Sequence, residues 1–201
     1  GIEQINNGAR IGIQAMIAAA GIRHLPVTSD DIAFRLAPRI NAAGRIMHPK
    51  AAYDLLNASS PVEARELAEN LNILNSRRQA TESQIFDRIV RQLETYPNQL
   101  ARKSLLLAGQ GWHEGVLGIV AAKLVSRYGR PVVLIGTRNG MGKGSGRSIA
   151  SLDLHAALSR CAHLLAKFGG HSQAAGLTVK TENISELQKT FEDAVNQMTP
   201  D

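Results

Sequence analysis

The sequence has a single cysteine in 201 residues. Cys161 therefore has no disulfide partner within the chain, and no cysteine-rich zinc site can be assembled around it. It reads as a small buried hydrophobe, and a reducing cytoplasm is the expected setting. No run reaches the roughly 18 apolar residues needed to span a bilayer, so no membrane partner is expected. The chain opens on Gly1 rather than Met, with no basic-then-apolar secretion signal, which is the pattern expected of a piece of a longer chain or of a tag scar. Repeats and low-complexity segments are missing as well. No Asp-x-Asp, Asp-His-His or His-x-Glu cluster suits a divalent metal. Asp30 and Asp31 are explained by a helix start, His113 and Glu114 lack a second histidine at helical spacing, and no serine sits in a nucleophile elbow. No metal or other cofactor is expected within this chain.

Acids are also nearly missing from one stretch. From Lys123 to His171 there are eight basic residues against Asp153 alone, so this stretch carries +7 of a net +6 and the rest of the chain −1. A local basic excess is the footprint of a polyanion partner; the plain alternative is an uneven solvated surface.

Three regions can be separated. Residues 1–60 read as helices and loops. Ile11 to Ala20 and Lys50 to Asn57 are helical, Ser29 is placed to cap a helix start, and Pro38 breaks the pattern before a small-residue turn flanked by Arg39 and Arg45. Residues 61–97 read as one long helix, entered through Ser60-Pro61-Val62-Glu63. It is apolar at both ends, and its polar middle from Asn75 to Gln84 suits a solvent-crossing connector. Residues 103–198 alternate strands and helices. Strands are expected at 104–108, 131–136, from about 142, and near 174–179, with helices at 114–128, 152–167 and 183–197. This is the pattern of an α/β sheet covered by helices.

Three segments in the last region could carry chemistry. In Gly142 to Ile149, glycines allow close backbone approach to an anion, Arg147 offers a bidentate fork, and Ser145 and Ser148 add hydroxyls. In Phe168 to Gly176, Gly169 and Gly170 permit a tight backbone before His171. In Gly111-Trp112-His113-Glu114-Gly115, a helix start could meet an anion, and His113 or Trp112 could stack a base. Each has a structural reading too: a glycine-rich hairpin, a structural histidine and a core tryptophan.

Arg-Ile-Asn-Ala-Ala-Gly-Arg at 39–45, Trp-His-Glu-Gly-Val-x-Gly-Ile-Val-Ala at 112–121, Gly-Ser-Gly-Arg-Ser at 144–148 and Gly-Gly-His-x-x-Ala-Ala-Gly at 169–176 stand in series. Together they resemble the C-terminal motifs of the RecJ family, single-strand-DNA-specific exonucleases of the DHH phosphodiesterase superfamily, over almost the whole chain. The resemblance implies an α/β architecture in three parts: residues 1–60 as the helical tail of a DHH catalytic domain, 61–100 as a long connecting helix, and 101–198 as a DHH-associated substrate-binding domain with a mixed sheet flanked by helices. It implies a metal-dependent 5′-to-3′ exonuclease of DNA repair and recombination, whose Mn2+ or Mg2+ ligands would lie upstream of Gly1. The expected substrate is single-stranded DNA, and a helicase or single-strand-binding protein is a candidate partner of the intact enzyme.

By the same resemblance, Ser145 and Arg147 hold the 5′-terminal phosphate. Gly170 and His171 line the scissile phosphate and terminal nucleotide, making His171 the one catalytic candidate. Arg39 and Arg45 face the substrate from the DHH side; His113, Ser148 and Gly169 complete the binding set. Two other functions fit related sequences: a non-catalytic nucleic-acid-binding module, and a shorter relative that acts on very short oligonucleotides.

Overall fold

The computed structural model describes residues 1–8 and 10–199, which divide into two compact units, Gly1–Ala80 and Thr81–Asp201. The first is helical: α1 (Ile2–Asn6), α2 (Ile11–Ala19), α3 (Ser29–Asp31), a π-helical turn (Ile32–Leu36), α4 (Ala37–Ile46), α5 (Lys50–Asn57) and the opening part of α6 (Pro61–Thr95). Its core gathers Met16, Leu36, Ala42, Ala43, Leu55 and the stripe Ala64, Ala68, Leu71 and Leu74 from α6. That stripe follows the three-and-four spacing that puts side chains on one helix face.

Two local expectations change here. The residue that caps α3 is Thr28, not Ser29. Its hydroxyl accepts from the Asp31 amide at 3.2 Å, while Asp31 Oδ2 accepts from the Thr28 amide at 3.0 Å, from its hydroxyl at 2.8 Å and from His24 Nε2 at 2.8 Å. Pro38 does not break the helix. It follows directly on the π-helical turn, in which the Ala37 amide donates to the Ile32 carbonyl, and the helix runs on through it as α4, so Arg39 to Arg45 is helical rather than a turn. The middle of α6 differs as well. Asn75 and Glu82 are each only 5% exposed, because Asn75 accepts from Arg78 Nη2 at 2.9 Å and Glu82 pairs with Lys123. The rest of the segment is largely solvated, as expected of a polar middle, with Ser76, Arg77, Gln79, Ser83 and Gln84 exposed.

The second unit continues α6 and a 3-10 turn (Pro97–Ala101) into β1 (Leu105–Gln110), α7 (Glu114–Tyr128), β2 (Val132–Arg138), β3 (Met141–Arg147), α8 (Leu154–Arg160), β4 (Leu165–His171), β5 (Ala174–Lys180) and α9 (Ile184–Met198). The sheet order is β1-β2-β3-β5-β4. Strands β1 and β2 are parallel, joined through α7 as a parallel pair requires, and the other pairings are antiparallel. Asp153 Oδ1 caps α8 by accepting from the Ala156 amide at 2.9 Å. One sheet face, with Leu106, Val133, Ile135, Leu177 and Val179, packs on Leu154, Leu158, Leu187, Phe191 and Val195 of α8 and α9. The other face lies under α7 at β2 and β3.

The glycine run forms β3, in line with the strand expected from about residue 142. Alternate glycines face the α8–α9 core and leave space for its side chains: a Cβ at Gly142 would stand 2.6 Å from Ile135 Cγ2, at Gly144 2.9 Å from Leu177 Cδ1, and at Gly146 2.9 Å from Leu154 Cδ2. The helix expected at 152–167 is shorter. It ends at Arg160, and after a 3-10 turn the chain enters β4, which the sequence reading missed. Pairing with β5 draws residues 165–171 into the sheet. Cys161 is fully buried between them, and burial pushes its thiol up to about 11.

Asp31 is held well below its ordinary value of 3.8, first by the Thr28 amide and then by His24 and the Thr28 hydroxyl. A lowered carboxylate stabilises the fold above its unfolded pKa and loses that contribution as pH falls through the folded one. Urea unfolding across pH will therefore show stability declining below about pH 4 in the native chain, and Asp31→Asn will be less stable at neutral pH with a flatter acid limb. Thr28→Ala will cost about 1 kcal/mol. An acid limb unchanged in Asp31→Asn would remove the carboxylate from this role.

Candidate nucleic-acid interface

Strand alternation decides what β3 presents. With Gly142, Gly144 and Gly146 turned to the core, Lys143, Ser145 and Arg147 point to the opposite face. Register extends this face across two more strands. Ser145 pairs with Gly176 of β5 and Gly176 with Gly169 of β4; Arg147 pairs with Ala174 and Ala174 with His171; Lys143 pairs with Thr178 and Thr178 with Lys167. Residues directly opposite share a face. The result is an exposed floor of small residues, Gly169 and Gly176 with half-buried Ala174, edged by Lys143, Arg147, Lys167 and His171.

Arg147 is half-buried beside α7. Its Nη1 donates to the Gly146 carbonyl at 2.7 Å and to Ser145 Oγ at 3.3 Å. The guanidinium fits there because residue 118, in the second turn of α7, is glycine. A Cβ at Gly118 would lie 2.8 Å from Arg147 Nη2 and 3.0 Å from Ser145 Oγ. The arginine is thus held in a fork with its serine, an arrangement matched to a phosphate. Gly170 has φ +151, and a Cβ on it would meet the Ala174 carbonyl at 2.3 Å, so only glycine lets β4 close on β5 just before His171. The exposed His171 ring accepts at Nδ1 from the Gln173 amide at 3.3 Å. This places the proton of the neutral ring on Nε2, away from that contact, as a donor.

Other expected site residues have different surroundings. Ser148 is buried, its hydroxyl donating to the Leu152 carbonyl at 2.9 Å, so it holds the loop after β3. His113 caps α7, Nδ1 accepting from the Gly115 amide at 3.2 Å. Trp112 is 8% exposed and packs into the unit. Arg39 and Arg45 belong to the first unit. Arg39 is half-buried, Nε donating to Asn72 Oδ1 at 3.0 Å and Nη1 to the Arg35 carbonyl at 2.6 Å; Arg45 is exposed in the last turn of α4. Six residues apart on a helix, the two point about 120° away from each other.

The basic stretch divides too: Lys123 pairs with Glu82, Arg127 lies over Tyr128, Arg130 donates to the Leu100 and Arg102 carbonyls, and Arg160 donates to Gln197. Sequence reading missed Gly118, Gly176, Lys143 and Lys167 as parts of this face. The signal was present in the period-two alternation of β3 and in the second glycine of the Trp-His-Glu-Gly-Val-x-Gly motif.

Among the described residues, no group of three or more His, Cys, Asp or Glu side chains could hold a metal ion, and no helix is long and apolar enough to cross a membrane.

This mixed sheet, with its antiparallel β3–β5–β4 face and small-residue floor, is a DHHA1 domain, the family matched by residues 99–197. The wider similarity runs through both units. The chain is 37% identical over 202 residues to the single-stranded-DNA-specific exonuclease RecJ of Bacillus subtilis, covering 99% of this chain and 25% of that protein. It is 34% identical to the protein of the same name from Escherichia coli, covering 98% of this chain and 36% of that protein. The crystal structure of RecJ from Thermus thermophilus in complex with Mn2+ superposes with a TM-score of 0.88 at 31% identity, over all of this chain and 29% of that one. The chain belongs to the RecJ family, and it spans about a quarter to a third of the length of these relatives.

Replacing Gly118 with alanine separates anchor geometry from stability. Alanine improves helix propensity by up to about 1 kcal/mol, and the atom its methyl meets is the end of a flexible side chain. The melting temperature will hold or rise, while the Nε–Hε resonance of Arg147 in a proton–nitrogen correlation spectrum will shift. An unmoved resonance would contradict the packing of Arg147 against this helix.

Proposed function

We propose that this chain is the strand-gripping part of a metal-dependent 5′-to-3′ single-stranded-DNA exonuclease acting in DNA repair and recombination. The Arg147–Ser145 fork, seated against Gly118 and in register with His171, is the observation that carries this reading. In it, Arg147 and Ser145 bind the 5′-terminal phosphate. The glycine floor lets the sugar–phosphate backbone approach the sheet closely, and Nε2–H of His171 donates to a phosphate oxygen next to the bond that is cut. Lys167 adds positive charge along the path, and Lys143, paired with Glu114 at 2.9 Å, exchanges that partner for a phosphate. Metal ions held elsewhere in the intact enzyme supply water activation and charge stabilisation; the residues here orient and hold the strand, which is where positioning contributes to rate. The identity to RecJ exonucleases over nearly the whole chain supports this reading. The single, buried cysteine supports a cytoplasmic setting, and a helicase or single-strand-binding protein would deliver the strand.

Binding of 5′-phosphorylated single-stranded DNA by this chain will weaken linearly in log salt, by roughly 0.7 per phosphate contact, and added Mn2+ will produce no cleavage. Losing a charge-assisted contact of about 1.5–3 kcal/mol, Arg147→Ala will bind roughly tenfold to a hundredfold more weakly. Removing the 5′ phosphate from the DNA will have a similar effect on the native chain and little on the variant. Equal affinity of native chain and variant for the phosphorylated strand would overturn the assignment.

A further inference from the structure

Along β3 from Arg147, the same face leads to a cavity of about 730 Å3 lined by Gln110, Trp112, Arg138, Asn139, Met141 and the Lys143–Glu114 ion pair among others. Its position is one at which open α/β sheets take ligands: the C-terminal ends of parallel β1 and β2, just where the sheet turns antiparallel. Two neighbouring glycines build it. Gly109 and Gly136 are paired across β1 and β2. A Cβ at Gly109 would stand 2.1 Å from the Trp112 ring, and one at Gly136 2.2 Å from its carbonyl oxygen. The indole therefore lies in the strand ends, and its Nε1–H has no hydrogen-bond partner among the described residues. A tight turn after β2 sets exposed Arg138 and Asn139 at the rim, and Met141 is 39% exposed.

We infer that this cavity is a nucleotide subsite, taking a base of a single strand whose end is anchored at Arg147. The inference rests on the reading of the β3–β5–β4 face as a nucleic-acid interface. Continuity supports it: Met141 and Lys143 line the cavity and lie on the same side of β3 as Ser145 and Arg147. At about 3.4 Å per residue, Lys143 is ~14 Å and Met141 ~20 Å from Arg147 along the strand, a span that a few nucleotides cover. The volume falls in the range of small-molecule sites. The chemistry suits a nucleotide: Met141 and Trp112 offer apolar surface to a base, the Gln110 and Asn139 amides both donate and accept towards a base edge, and Arg138 supplies charge for a phosphate. The opposite end of the sheet differs. There two of the three cations beside a second cavity, Arg130 and Lys103, donate to the Leu100, Arg102 and Thr199 carbonyls.

Trp112 is the only tryptophan of the chain, so its fluorescence reports on the cavity directly. The chain is titrated with a 5′-phosphorylated thymidine dinucleotide and with an oligothymidylate of roughly eight nucleotides, within the length one strand-binding fold covers. Both bind through Arg147. Only the longer one changes the tryptophan emission, and it binds about tenfold tighter, the contribution of one held base. The exposed double variant Arg138→Ala/Met141→Ala loses the tenfold gain and the emission change and keeps the dinucleotide affinity; Gln110→Ala, also at an exposed position, reduces the gain in the same way. Dinucleotide binding that Arg147→Ala abolishes, with no gain on lengthening and a silent tryptophan, would overturn the subsite and leave the interface standing. Failure of every oligonucleotide to bind would overturn both.

Discussion

The candidate interface depends on the packing of β3 between two unlike surroundings. On one side, the missing side chains of Gly142, Gly144 and Gly146 are replaced by Ile135, Leu177, Val133 and Leu154 reaching in from neighbouring elements. On the other, Lys143, Ser145 and Arg147 stand out against α7 and an open floor. Because the side-chain period of a strand is two, a slip of one residue would bury the cations and expose the glycines. The tight fit of the core into the glycine positions therefore fixes the register that aims Arg147. Gly118 and Gly170 are second-order consequences of the same demand. One gives the guanidinium room beside the helix, and the other lets β4 close so that His171 falls in line with Arg147.

Much of this was legible in the sequence. The long helix from Pro61, the parallel β1–α7–β2 unit and the final helix follow from periodicity, a proline at a helix start and runs of apolar residues. Ser145, Arg147, Gly170 and His171 could be picked out by their motifs. What the sequence hid was the reason for the period-two glycines: the core side chains that fill their places are distant in sequence and become visible only in the fold. Strand β4 was hidden for a similar reason. Leu164-Leu165-Ala166-Lys167 has good helix formers, and pairing with β5 overrides that preference. The arginines of the first unit illustrate the converse: Arg39 and Arg45 flank one motif but point apart, because the segment is helix.

Charge behaves in the same way. The +7 stretch signals an anionic partner, yet five of its eight cations serve other contacts: ion pairs of Lys123 with Glu82 and of Lys143 with Glu114, a stack on Tyr128, backbone carbonyls and a glutamine. Four of the eight lie on or near the sheet face, Arg138, Lys143, Arg147 and Lys167. Few cations over glycine-rich backbone suit a single strand, whose phosphates can approach closely and whose bases are free to turn into a pocket.

Backbone proton–nitrogen correlation spectra recorded while 5′-phosphorylated single-stranded DNA is added to the chain test the central claim most directly. The account predicts shifts concentrated at Lys143, Ser145, Arg147, Gly169, Gly170, His171 and Gly176, with the buried α8–α9 side of the sheet unmoved. Shifts that avoid the β3–β5–β4 face would contradict it.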